Sequence, residues 1–441
     1  MSEPLRRPGY GLDNVGERGE RTRERIRAVA LSRFAAGGFH RTSIQEIADG
    51  AGVSRAALYQ YFGSKEQIFL ELLGDSGSAV VDLARRFEPP APTADGFRAF
   101  RSWIEDWAYI FDRHSTMFTE WGGITAPDNS IEQAVGSFVT RLNRRLAETL
   151  RLAGVRGIDP LSAAIVLSNV ILRFNFLRVR GGPRHADPEL YYHLAVLLQL
   201  MLFPETPADA TRPRLHEPQE WFERRVDGPL PSRRGVPAAA PYYARFESLS
   251  ARSAGTVREL MKSGLRVFTE KGYHRASVDE IVADADYTRG TFYKYFDDKV
   301  DLLVALSDEC SQDLAADARR FGRLDPAQED GAQLRRWVRE SFVLYGQHRG
   351  AYRTWVERSP TNPELDGMRD RVVVAMRRAL HVTLGRVERS HPLDLRVSHM
   401  FLVALIEEIP LAFKLNGLPV KQEPLTELLS VIIERTLFNS V

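Results

Sequence analysis

Arg55, Tyr59, Gln60 and Tyr61 lie in one short stretch, beside the small Ala56 and Ala57 and interleaved with the apolar Leu58 and Phe62. A guanidinium, an amide and two phenols on the solvent side of a helix have the donor geometry to meet base edges and phosphates, and alanines among them allow close approach. Lys65 adds a cation in the first turn of the next expected helix, where opposing the helix dipole costs about 0.3–1 kcal/mol. A phosphate shared between that ammonium and backbone N–H groups would offset the cost. The pattern points to nucleic-acid chemistry, not to bond making or breaking.

The elements that must present these groups are legible around them. Ile26, Ala30 and Phe34 recur at helical spacing, and Gly37-Gly38 stops that helix, since glycine takes the left-handed cap conformation without strain. Ser43 with Glu46 three positions later has the form of a capping box, which predicts a helix opening at Ile44. Ala51-Gly52-Val53 supplies a tight turn, and Ser54 caps a third short helix through Leu58, Tyr59 and Phe62. Two short helices about such a turn form a helix-turn-helix.

The whole arrangement is then repeated. Gly38-Phe39-His40-Arg41-Thr42-Ser43-Ile44-Gln45-Glu46-Ile47 returns 234 residues later as Gly272-Tyr273-His274-Arg275-Ala276-Ser277-Val278-Asp279-Glu280-Ile281. Arg55, Tyr59, Tyr61, Phe62 and Lys65 return at the same offset as Arg289, Tyr293, Tyr295, Phe296 and Lys299. Trp103, His114 and Trp121 return as Trp337, His348 and Trp355, so the duplicated unit includes part of a helical body. The division expected is an arm over 1–20, headpieces over 21–66 and 252–300, bodies over 67–203 and 301–441, and a linker over 204–251. Pro229, Pro231, Pro237 and Pro241 bar long helices from that linker, leaving room for one short helix near Trp221.

Bulk properties narrow the class. The 441 residues are 44% hydrophobic and 27% charged, which suits a globular protein of several domains. A net charge of only +2 means that any nucleic-acid affinity rests on local clusters, such as Arg21, Arg23, Arg25, Arg27 and Arg41. A single cysteine, Cys310, excludes an intrachain disulfide and a thiolate metal cluster and fits a reducing cytoplasm. The greasiest helices are interrupted by Asn169, Arg173 and Asn175 and by Glu407, Glu408 and Pro410, so no membrane span is expected. Neither a phosphate-cradling glycine loop, nor metal-ligand spacing, nor a nucleophile with a base partner is present, so neither an enzyme nor a cofactor is expected.

The string Thr42-Ser43-Ile44-Gln45-Glu46-Ile47-Ala48, then Ala51-Gly52-Val53-Ser54, then Leu58-Tyr59-Gln60-Tyr61-Phe62 and Lys65 resembles the headpiece of TetR-type regulators over about fifty residues in each half. The resemblance implies an all-α fold: two copies of a headpiece plus a helical ligand-binding body, paired about a pseudo-two-fold axis within one chain. It implies that Arg55, Ala56, Ala57 and Gln60 face bases, with Gln45 at the edge, and that Thr42, Ser43, Ser54, Tyr59, Tyr61 and Lys65 hold phosphates. In the second copy Arg289, Gly290, Thr291 and Lys294 become the base readers, and Ser277, Thr288, Tyr293, Tyr295 and Lys299 complete the DNA contacts. That copy departs from the pattern at Asp286-Tyr287, where the family has Gly-Val. Aspartate tolerates the turn but brings negative charge, so weaker DNA binding is expected there.

Two unlike reading heads imply an operator that is not a palindrome, since Gln60 suits adenine and Lys294 suits guanine. The resemblance further implies that Leu161–Val179 and Leu190–Phe203, with Leu395–Lys414 and Leu425–Leu437, form a four-helix bundle between the halves. Arg173 would there meet Glu407 or Glu408, unless all three reach solvent. The aromatic groups Trp103, Trp107, His114, Phe118 and Trp121, with Trp337, Tyr345, His348, Tyr352 and Trp355, either line an inducer pocket or form plain core. Such a pocket would suit a bulky apolar effector: a lipid, a steroid or an acyl derivative. The expected activity is ligand-relieved repression, and the partners are a DNA operator, the effector and the chain's own second half, with further self-association open. The competing reading is an activator or a helical partner-binding protein without such a pocket.

Overall fold

The computed structural model describes residues 16–120, 130–181, 187–218, 246, 249–327, 331–356 and 362–438. Among them the first half contributes α1 (Glu17–Gly37), α2 (Ile44–Gly50), α3 (Arg55–Tyr61), α4 (Lys65–Arg85), α5 (Ala94–Arg113), α6 (Ser115–Glu120), α7 (Ser130–Leu152), α8 (Pro160–Gly181) and α9 (Pro188–Leu202). The second half repeats the series as α10 (Ala251–Lys271), α11 (Val278–Asp284), α12 (Arg289–Tyr293), α13 (Lys299–Phe321), α14 (Ala332–Gln347), α15 (Arg349–Val356), α16 (Pro363–Leu384), α17 (Leu395–Leu415) and α18 (Gln422–Leu437). No β-strand occurs among the described residues, as the all-α fold implied by the resemblance requires.

The local signals act as expected. Ser43 and Ser277 form complete capping boxes with Glu46 and Glu280, and Ser54 accepts from the Ala57 N–H at 3.1 Å. Gly38 and Gly272 end the first helix of each headpiece at φ 85° and 76°. Gly52 holds the turn at φ 62°, and Asp286 holds the equivalent turn at φ 57°. It is the one non-glycine residue with positive φ among those described, as the departure from Gly-Val requires.

Each headpiece has its own apolar core, around Ile26, Phe34 and Phe69 in the first and Leu260, Phe268 and Leu302 in the second. The two bodies instead share one continuous core, which runs from Phe97, Ile171 and Leu198 through Phe401, Leu405 and Ile432. It is assembled where α8 packs along α17 and α9 along α18, the four-helix arrangement that the family resemblance implies.

Arg173 enters this shared core only 5% exposed. Its Nη2 donates to both Glu407 carboxylate oxygens at 2.6 and 2.5 Å, and its Nε lies 3.5 Å from Glu408. The Tyr352 hydroxyl also donates to Glu407, and burial pushes that carboxyl up to about 7 against the pull of Arg173. The solvent-reaching alternative for Arg173 and Glu407 is therefore not what the fold adopts. Arg173 also lies over the Phe176 ring at 5.0 Å.

Three expectations change. Residues 204–218 do not begin a free linker: Arg101 forms a fork with Glu217 at 2.7 and 2.5 Å, and Thr211 in a short 3-10 turn is fully buried. The prolines from Pro229 to Pro241 and Trp221 lie outside the described residues. α1 starts at Glu17, four residues before the boundary drawn for the arm. Finally, Pro160–Val179 is apolar and long enough to cross a membrane by length and composition, contrary to the expectation that no such segment exists. Asn175 bonds within its own helix and Arg173 pairs across the bundle, so the polar interruptions are satisfied inside the protein core.

Candidate nucleic-acid interface and effector cavity

α3 turns Leu58 into the headpiece core and leaves Arg55, Ala56, Tyr59 and Gln60 exposed. Arg55 lies over the Tyr59 ring at 5.7 Å with its Nη2 3.4 Å from the phenol oxygen, a loose contact that leaves its donors available. Gln45 is exposed on α2 and donates to Asp49 at 2.7 Å. Ser43 and Ser54 are exposed at helix caps, where each hydroxyl accepts one backbone N–H. Ala57 and Tyr61 are half-buried, and the Tyr61 ring packs on the headpiece core.

The second head has the same shape and a different charge. Arg289, Gly290, Tyr293 and Lys294 are exposed, while Thr291 and Tyr295 are half-buried. Thr288 caps α12, Ser277 caps α11, and Lys294 lies over the Tyr295 ring at 5.4 Å. Arg289 pairs with Asp279 at 2.5 Å, the position that Gln45 occupies in the first head. Between Gly38 and Glu66 three cations balance three carboxylates, whereas between Gly272 and Val300 four cations face six. The acidic excess includes Asp297 and Asp298, which replace Gly63 and Ser64 and escaped the sequence reading.

Lys65 does not stand free to receive a phosphate. Its Nζ donates to the Phe39 and Thr42 carbonyls at 2.8 Å each and sits 4.3 Å from the Phe39 ring centre. Lys299 repeats this, donating to Tyr273 and Ala276 at 2.7 and 2.8 Å over the Tyr273 ring. Burial lowers both ammonium pKa values. The dipole cost is thus offset by carbonyls that tie the α1–α2 loop to α4, leaving at most one N–H for DNA. Thr42 is likewise buried and donates to the Gly38 carbonyl at 2.9 Å, so it holds the loop instead of a phosphate. Arg23 and Arg27 pair with Glu71 and Asp75 on α4, which removes them from the free cation cluster. Lys65→Met is expected to destabilise the first headpiece by about 1–3 kcal/mol by orphaning two carbonyls. Amide hydrogen exchange over α2 checks this; unchanged protection would return the lysine to a phosphate-binding role.

A cavity of about 480 Å³ opens between α4 and α7, lined among others by Leu73, Gly74, Trp107, Phe118, Phe138 and Leu172. Of the proposed pocket aromatics, Trp107 and Phe118 are in its wall. Trp103 and Trp337 are core: their indole N–H groups donate to the Leu83 and Asp317 carbonyls at 3.0 and 3.3 Å, and each packs on a phenylalanine. His114 meets the Ser76 hydroxyl at 3.2 Å and His348 meets Asp313 at 2.9 Å, both away from the cavity. Tyr345 and Tyr352 stack edge-to-face at 5.2 Å beside Glu407. Trp121 and the Trp355 side chain lie outside the described residues. Sequence reasoning missed Gly74 and Phe138, whose only signal was a small and a large residue on facing helices.

The family model "Bacterial regulatory proteins, tetR family" matches twice, over residues 26–72 and 260–306. The transcriptional regulator AcuR of Cereibacter sphaeroides is 36% identical over 130 residues, covering 28% of this chain and 52% of the relative. The regulator AcrR of Shigella flexneri is 37% identical over 73 residues, or 17% of this chain and 34% of the relative. The chain thus spans a third to about half of the length of these relatives. Among solved structures, NalD, the secondary repressor of the MexAB-OprM efflux pump in Pseudomonas aeruginosa, aligns with TM-score 0.32 at 23% identity, covering 39% of this chain and 90% of its own. Each half of the chain thus carries a headpiece of the tetR family of bacterial regulatory proteins, set on its own helical body.

Proposed function

We propose that the chain is a sequence-specific, DNA-binding transcription regulator, not an enzyme, working in the cytoplasm as a ligand-relieved repressor. One folded chain supplies both reading heads, and the operator is asymmetric because Gln60 and Lys294 prefer different bases. The observation that carries this reading is the pair of exposed, unlike recognition helices on bodies that share one core closed by Arg173 and Glu407. The cavity between α4 and α7 supplies the effector site, and its apolar walls favour a lipid, steroid or acyl-like molecule over a polar metabolite. An effector that prefers a body shape with wrongly spaced heads lowers DNA affinity by its differential affinity for that shape.

The pairing of Arg289 with Asp279 favours a second reading, an activator or partner-binding protein in which the second head does not read bases. A salt-dependent gel-shift assay on genomic fragments separates the two. A two-headed reader discriminates its site from random DNA by roughly 1000-fold or more. Uniform, weak binding to all fragments would overturn the proposal.

A further inference from the structure

A repeat with an intact register would be expected to hold two equivalent cavities, one per body. The residues that frame the first are not preserved in the second. Gly74 and Gly77, which line the first cavity on α4, become Asp308 and Ser311 on α13, and Ser137, the exposed neighbour of the lining residue Phe138 on α7, becomes Arg371 on α16. Asp308 is fully buried and pairs with Arg371 at 3.1 Å, and the same guanidinium donates to the Ser311 hydroxyl at 3.0 Å. Further along the same seam Thr383 donates to the Phe321 carbonyl at 2.9 Å and Arg386 to the Leu324 carbonyl at 3.0 Å. Met368 and Ala379 are buried on α16, whereas their counterparts Ala134 and Arg145 are exposed on α7. The helix pair that stands apart in the first half is bolted together in the second.

The headpiece connection differs in the same sense. Gly350 on α15 brings that helix so close to α10 that a Cβ there would lie 2.7 Å from the Leu265 carbonyl and the Thr269 hydroxyl. The first half has Thr116 at this place, which forbids so tight an approach; there the Phe39 N–H donates to Glu120 at 2.9 Å and Met117 of α6 packs into the headpiece core.

We propose that the chain takes up one effector, in the first body alone, and that the second body is a locked strut against which the first head moves. This rests on the ligand-responsive reading above and adds the count, the place and the class of ligand. The walls are apolar, and Asp82, Arg85 and Arg141 are the charged residues among the lining. Arg85 pairs with Asp82 at 2.9 Å, while Arg141 is exposed and makes no ion pair among the described residues. The matching ligand is a small amphiphile with an apolar body and one anionic end. Occupancy is felt by the strut through Ser168, a lining residue whose hydroxyl donates to Asn143 at 2.7 Å, which donates to Asn416 of the second half at 3.1 Å.

The probe for the test is 8-anilinonaphthalene-1-sulfonate, an apolar anion of suitable size, titrated into the full chain with bound copies counted by native mass spectrometry. One copy per chain is expected, and zero or two would overturn the proposal. A side chain at Gly74 enters open space, so Gly74→Phe is expected to abolish uptake while the chain stays folded. Persistence of the single copy in that variant would place the site elsewhere and overturn the assignment. Arg141→Glu is expected to weaken uptake a few-fold, the scale of an exposed charge pair. The exchange Asp308→Gly with Arg371→Ser gives the second body the residues of the first and is expected to raise the count to two; a folded variant still at one would remove the lock from the account. The wild-type count and Gly74→Phe decide the question even where this exchange fails to fold. Two copies would sink the asymmetry alone and zero would sink uptake by this cavity as well, whereas DNA binding indifferent to cavity occupancy would sink the ligand-responsive reading and leave the count standing.

Discussion

Replacing Arg173 with glutamate is expected to destabilise the paired bodies by on the order of 3–5 kcal/mol, the cost of breaking a buried ion pair by removing one partner. The new carboxylate would sit against Glu407 and Glu408 in the shared core, with the Tyr352 hydroxyl unable to satisfy all of them. The loss should appear as a lower denaturant midpoint together with oligomers resolved by light scattering, because the pair also decides which surfaces meet. Two first halves meeting would oppose Arg173 to Arg173, and two second halves would oppose Glu407 to Glu407. The double exchange Arg173→Glu with Glu407→Arg should recover part of the loss, a coupling that a double-mutant cycle reads directly. Unchanged melting and assembly in the single variant would show that the pair selects nothing.

The second large effect concerns the reading heads, which should be unequal. Arg55→Ala is expected to weaken operator binding by about 1–3 kcal/mol, roughly 10- to 100-fold, and to relax the preference at one base position. Arg289→Ala should cost clearly less, because its guanidinium is already paired with Asp279 and sits in a head with an acidic excess. Asp279→Gln restores the first head's residue and should tighten binding across all sequences by removing a carboxylate from beside the phosphates. Gel-shift titrations at fixed salt rank the variants. Equal losses at Arg55 and Arg289 would contradict this ordering.

Features that depend on neighbours in the chain were legible in the sequence: the capping boxes at Ser43 and Ser277, the glycine stops, and the left-handed turn at Asp286. The duplication was legible too, and its unaltered register set Arg173 opposite Glu407 or Glu408 once the family resemblance supplied the bundle. Tertiary partners were not. Nothing local shows that Lys65 and Lys299 spend their donors on carbonyls 23 and 26 residues away, or that Thr42 is turned inward. The pocket aromatics divided for the same reason, since Trp103 and Trp107 lie one helical turn apart on α5 and are both buried in the core, and only the placement of the neighbouring helices gives Trp107 a face on the cavity. The docking of 204–218 on the first body depends on Arg101 finding Glu217, a pairing that the proline-rich composition downstream conceals.

The account stands on a single chain engaging one duplex with two different heads. Selection of bound DNA by the intact protein, followed by sedimentation of the complex on the recovered site, tests it most directly. The prediction is one chain per site and a motif of two unlike halves about one helical turn, 34–36 Å, apart. A perfect palindrome occupied by two chains, each using the same head, would contradict it.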